Sequence, residues 1–186
     1  NTGRFDGYLA HVARLRRDGA PTSWLSDPVL YARIRTLFAS HRIVARTGDV
    51  TGPTTLRAVG AAATRLGVPV RTLYFSNAEQ FFRYTADFRT NVTSLPTDAR
   101  SVVLRTFRNR RAPYPDHDTW HFMVHPMTDF LERLTLGYWR STEIVDDVLR
   151  TLSESGVTSI TSTTPRRHVR AAEADAASGA AEGAAH

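Results

Sequence analysis

The segment VPVRTLYFSNAEQ, residues 68–80, decides the fold. Val68 to Phe75 is rich in β-branched and aromatic residues, which reads as a strand. Ser76, with Glu79 three residues later, has the pattern of a capping box. A helix is therefore expected to start at Ser76 and to run through Phe81 and Phe82. A strand passing straight into a helix is half of a strand–helix–strand unit, from which parallel sheets are built.

The N-terminal side repeats the arrangement. Ile43 to Ala45 reads as a short apolar strand running into Gly48-Asp49. Pro53 opens a helix that carries Leu56, Val59, Ala63 and Leu66 and stops at Gly67. Further upstream, Phe5, Leu9, Val12 and Leu15 recur at helical spacing, and that helix is expected to end near Arg17-Asp18-Gly19. Asp27-Pro28 is an N-cap followed by proline at the first helical position, with Leu30, Ile34 and Leu37 forming one face. On the C-terminal side, Ser101–Phe107 and Trp120–His125 read as two strands joined by about a dozen residues, which suggests an antiparallel pair. Two helices follow, through Phe130, Leu131 and Leu134 and through Ile144, Val145 and Val148. The order ααβαβαββαα predicts an α/β, Rossmann-like three-layer half-domain over residues 1–165, with a mixed sheet ending in an antiparallel pair. Residues 166–186 are alanine-rich without a large apolar side chain, and read as a disordered tail.

Composition removes several kinds of chemistry. All 24 basic residues are arginine, and cysteine is absent. That excludes a Schiff-base lysine, a Walker-A lysine, a cysteine nucleophile, a zinc-thiolate site and a disulfide within this chain. Arginine without lysine is what a GC-rich coding sequence produces, so codon bias is the simpler source of the formal charge of +6. A nucleic-acid partner is the less favoured reading. No run of about 20 apolar residues is present, so no membrane span is expected. With no signal peptide visible, a cytoplasmic location is favoured. The first residue is Asn1 rather than methionine, so further chain upstream is an open expectation.

Gly48-Asp49-Val50-Thr51-Gly52-Pro53 and Leu73-Tyr74-Phe75-Ser76-Asn77-Ala78-Glu79-Gln80 together resemble motifs of a bacterial family of unassigned function with a class I methyltransferase-like Rossmann fold. Trp24-Leu25-Ser26 and Asn91-Val92-Thr93-Ser94-Leu95-Pro96 fit the same family in order and spacing. The resemblance implies the fold, and by analogy an S-adenosylmethionine-dependent transferase. This chain matches the family's C-terminal half. A protein partner or an N-terminal half completing the sheet is therefore expected.

Candidate site residues follow from the strand ends, because open α/β sheets hold ligands beyond the carboxyl ends of their strands. Asp49 and Asn77 are the candidate catalytic pair, with Thr51, Gly52, Ser76, Glu79 and Gln80 as ligand-binding neighbours. Ser76 and Glu79 also have a purely structural reading, as mutual caps. Arg105, Arg108, Arg110 and Arg111 form the densest basic cluster and are the candidate polyanion contacts. The competing reading is a solvated loop. His117, His121 and His125 repeat every fourth residue, but on a strand they lie ~13 Å apart, too far to share one ion. No metal is expected there. Three readings follow: a methyltransferase-like enzyme, a catalytically silent subunit or scaffold of an assembly, and an arginine-driven polyanion binder.

Overall fold

The computed structural model of the chain describes residues 2–109, 120–149 and 157–159. The expected tail, residues 166–186, lies outside the described residues, as do Arg110 and Arg111. The chain divides into two compact units, residues 1–47 and 48–186.

The first unit holds α1 (Thr2–Arg14), a two-residue pair β1 (Arg16–Arg17) and β2 (Ala20–Pro21), and α2 (Pro28–Ala39). Asp18 and Gly19, at φ +52° and +79°, turn the chain between β1 and β2. An Asp-Gly pair with both residues at positive φ is a favoured two-residue hairpin turn. The sequence reading took Asp18-Gly19 as a helix end; it is a hairpin turn. α2 starts as expected, with the Asp27 carboxylate accepting from the backbone N–H groups of Val29 and Leu30. No described side chain of residues 6–47 is buried.

The second unit is an α/β layer structure. α3 (Thr55–Arg65) leads to β3 (Thr72–Tyr74), and a 3-10 turn over Ala78–Phe81 leads to α4 (Ala86–Thr93). β4 (Val102–Phe107), β5 (His121–Pro126), α5 (Met127–Thr135), α6 (Ser141–Val148) and β6 (Val157–Ser159) complete it. The sheet order is β3-β4-β5-β6, with β3 parallel to β4, β4 antiparallel to β5, and β5 parallel to β6. The mixed sheet and the antiparallel pair agree with the expectation. β6 was not foreseen.

Two expected elements are absent from the described residues. Residues 44–49 have no strand partner, and Val44 is 64% exposed. Three apolar residues followed by arginine and glycine bury too little to hold a ladder. The helix expected from Ser76 is only the short 3-10 turn. The longer helix begins at Thr85, whose hydroxyl accepts from the Phe88 N–H.

Period-two alternation builds the core. Val103, Arg105 and Phe107 of β4 pair with His125, Met123 and His121 of β5, and all six are buried. Phe75, Phe82, Tyr84, Phe88 and Phe130 pack with ring centres 5.0–6.5 Å apart. Gly60 lets α3 approach α4 closely, since a Cβ there would lie 3.3 Å from the Ser94 carbonyl.

Candidate functional site

Parallel pairing brings two separate sequence candidates to one edge. β3 and β4 run the same way, so the residues after them, Ser76-Asn77 and Arg108, emerge together. β5 runs back from His121 opposite Phe107, which puts Trp120 at the same edge. The Arg108 guanidinium lies over the Trp120 ring, 5.7 Å from its centre. The Thr106 N–H donates to the Ser76 carbonyl at 3.2 Å, and the Tyr74 and Thr106 hydroxyls meet at 2.8 Å. Gln80 Nε2 donates to the Thr106 carbonyl at 3.4 Å. Ser76 itself sits at φ +56°. For a residue with a side chain, the left-handed region costs on the order of 1–2 kcal/mol.

A buried ionic network anchors this turn. Arg105 grips Glu79 with two bonds, Nε to Oε2 at 2.5 Å and Nη2 to Oε1 at 3.1 Å, and both residues are 1% exposed. The Tyr84 hydroxyl donates to the same carboxylate at 2.7 Å. Burial, then the Glu79 charge, pushes the Tyr84 phenol well above its ordinary pKa. Burial works against the charge on Arg105, but Glu79 and Tyr84 outweigh it and hold the guanidinium protonated.

The network continues through β5 into α5. Arg105 Nη1 contacts His125 Nε2, while His125 Nδ1 lies 2.6 Å from Asp129 Oδ2. Arg133 donates to Asp129 at 2.9 Å and to Asp147 at 2.7 Å, and the Tyr138 hydroxyl donates to Asp147. Burial and the neighbouring Arg105 push the His125 imidazole down to about 4. His125 is thus neutral near pH 7, with Nδ1 donating to Asp129 and Nε2 accepting from Arg105. Burial alone would raise the Asp129 carboxyl, but hydrogen bonds from His125 and Arg133 hold it below the usual range.

Asp49 is committed locally. Its Oδ1 accepts from the Thr51 N–H at 2.8 Å and the Thr51 hydroxyl at 2.7 Å. The Thr51 hydroxyl, then its amide, holds the exposed Asp49 carboxyl below the ordinary carboxylate pKa. The loop is tied to α4: Asn91 Nδ2 donates to the Gly52 carbonyl at 2.6 Å and the Thr85 hydroxyl to the Thr51 carbonyl at 3.4 Å. Among the described residues no hydrogen bond joins this loop to Ser76–Gln80.

Two sequence readings need correction. Ser76 and Glu79 do not cap each other, because the guanidinium of Arg105 holds the Glu79 carboxylate in the core and Ser76 lacks N-cap backbone geometry. Arg105 is not part of an exposed basic cluster; its alternation with Val103 and Phe107 turns it inward. Arg108 is exposed. The sequence reading missed Tyr84, Asp129, Arg133 and Asp147, and set His125 aside. The available signals were the two-residue spacing of Val103, Arg105 and Phe107 on one strand face and the four-residue spacing of His125, Asp129 and Arg133.

Fold and site define an α/β domain whose mixed sheet carries a polar edge over a buried ionic core. The chain belongs to the family described as a domain of unknown function, DUF7790, whose profile matches residues 1–162. No curated protein matches it. Among the described residues no helix is long and apolar enough to cross a membrane.

Proposed function

We propose that the 48–159 region is a Rossmann-like, methyltransferase-type ligand-binding module whose site is the carboxyl edge of β3 and β4. Asn77, Ser76 and Arg108 are its ligand contacts, and Asp49 and Thr51 belong to the neighbouring loop. One observation carries the reading: the left-handed Ser76 turn rests on a fully buried Glu79–Arg105 pair. A buried ion pair is weak as a source of stability, since taking both charges out of water costs several kcal/mol. A strained turn held by such a pair, at the edge where α/β sheets bind ligands, has the character of a preorganised site. S-adenosylmethionine is the cofactor implied by the sequence resemblance. Asn77 would hold a polar edge of the ligand, and Arg108 with Trp120 would face an anionic or flat part of it.

The test is a thermal shift of the protein with S-adenosylmethionine or its demethylated product. At a hundred times the dissociation constant, a ligand adds about 2.7 kcal/mol to stability. Asn77→Ala and Arg108→Ala should each shrink that gain. A wild-type protein that neither compound shifts would refute the methyltransferase-type reading.

A second reading, a subunit of a protein assembly, is favoured by the first unit. Trp24, Leu25, Tyr31, Ile34, Arg35, Phe38 and Ala39 line an open depression of about 680 Å³. Val29 and Phe38 of α2 are 75% and 58% exposed. Apolar exposure on this scale marks a contact surface. Sedimentation of the protein at micromolar concentration, with and without Phe38→Ser, tests for self-association through it.

A further inference from the structure

Trp139 and Arg140 lie between α5 and α6, next to the segment that follows the 3-10 turn. The Tyr84 N–H donates to the Trp139 carbonyl at 2.8 Å, and the Ser141 hydroxyl donates to the Glu79 carbonyl at 3.3 Å. These two bonds hold residues 79–84 and 139–141 side by side. Two guanidinium groups lie within 5 Å of the one indole: Arg83 is 4.8 Å and Arg140 is 3.7 Å from the Trp139 ring centre. The ion pairs among the described residues use Arg71, Arg105 and Arg133 instead, so neither of these two cations is neutralised there. Glu143 is the nearby acid, and its Oε2 already accepts from the Trp139 N–H at 2.7 Å.

We propose that Arg83 and Arg140, both stacked on Trp139, form a binding site for a phosphate monoester. Stacking fixes the plane of each guanidinium and leaves its edge N–H groups free to donate. Two like charges on one ring repel each other, and an anion accepting from both relieves that repulsion. A carboxylate is satisfied by one arginine fork. A phosphate monoester is close to a dianion near pH 7, and its three terminal oxygens can accept from two forks at once. The site stands on its own geometry and does not depend on the ligand proposed for the β3–β4 edge.

The test uses the full chain at about 50 mM salt, where surface charges are only partly screened. Ribose 5-phosphate, ribose and inorganic phosphate are titrated by calorimetry against wild type, Arg83→Gln, Arg140→Gln, the double variant and Arg57→Gln. The sugar phosphate and inorganic phosphate should bind and ribose should not. Each arginine substitution should weaken binding about tenfold or more. The double variant should abolish it, and Arg57→Gln, an exposed arginine of α3, should leave it unchanged. Both arginines are at the surface or half-buried, so circular dichroism melts should match wild type. Ribose binding as tightly as its 5-phosphate, binding that survives the double substitution, or no phosphate binding to wild type would each overturn the proposal. Phosphate binding without any response to S-adenosylmethionine would sink only the methyltransferase reading.

Discussion

In the first unit Val29 and Phe38 face water, whereas in the second Arg105 and Arg133 are enclosed by protein. Polarity alone would have placed these residues the other way round. The difference lies in partners. Arg105 has Glu79 and Arg133 has Asp129 and Asp147, so each buried charge meets its opposite and its donors are used. α2 has apolar residues around most of its circumference and no described layer in its own unit to bury them. A paired charge can be buried, and an apolar side chain without a neighbour cannot. The second unit therefore derives its order from internal contacts, and the first presents a surface.

The largest expected effect breaks the second half of that comparison. Glu79→Ala leaves Arg105 buried without its carboxylate and should cost ~3–5 kcal/mol in urea denaturation. Glu79→Gln, which keeps one acceptor for Tyr84 or Arg105, should cost less. A near-neutral Glu79→Ala would mean that water reaches Arg105.

Acid provides the next test. His125 titrates near 6.5 in the unfolded chain and at about 4 in the folded one, so between those values the unfolded state binds the extra proton. Stability should fall as pH drops from 6.5 to 4, by roughly 3 kcal/mol, and should be insensitive to this group above 6.5. Asp129 is lowered, so its contribution is present above the unfolded carboxylate pKa and is lost as pH falls through its folded value. His125→Gln should flatten the profile between pH 6.5 and 4, although the variant starts less stable. An unchanged profile would place the acid sensitivity elsewhere.

Smaller effects sharpen the contrast. Thr85→Ala removes the hydroxyl that caps α4 and should cost about 1 kcal/mol. Val29→Ser and Phe38→Ser, on the exposed helix, should change stability by no more than ~0.5 kcal/mol. A loss of 2 kcal/mol or more from either would show that α2 is covered in solution.

The legible parts of the sequence were those with a complete local signal. Asp27-Pro28 carries both an N-cap and its proline, and residues 101–107 and 120–125 are sustained β-branched and aromatic runs. Both were read correctly. Ile43–Ala45 was too short a run to distinguish a strand from an extended linker. Ser76-x-x-Glu79 failed because a capping box is a local pattern, and Glu79 is taken by Arg105, 26 residues away. At the candidate site, Asn77 and Arg108 were both singled out, but in separate roles. Their placement at one sheet edge depends on the parallel register of β3 and β4, which no local pattern carries. Asp49 was assigned to the site for want of a structural role, which the Thr51 turn supplies.

A neutral His125 links Arg105 to Asp129 within the buried network that holds the Ser76 turn. Nitrogen-15 NMR of the histidine side chains over pH 3–8 reads this directly. The expected spectrum is that of a neutral, Nδ1-protonated His125 ring that stays so down to about pH 4. A ring that titrates near 6.5, or that carries its proton on Nε2 at neutral pH, would contradict it.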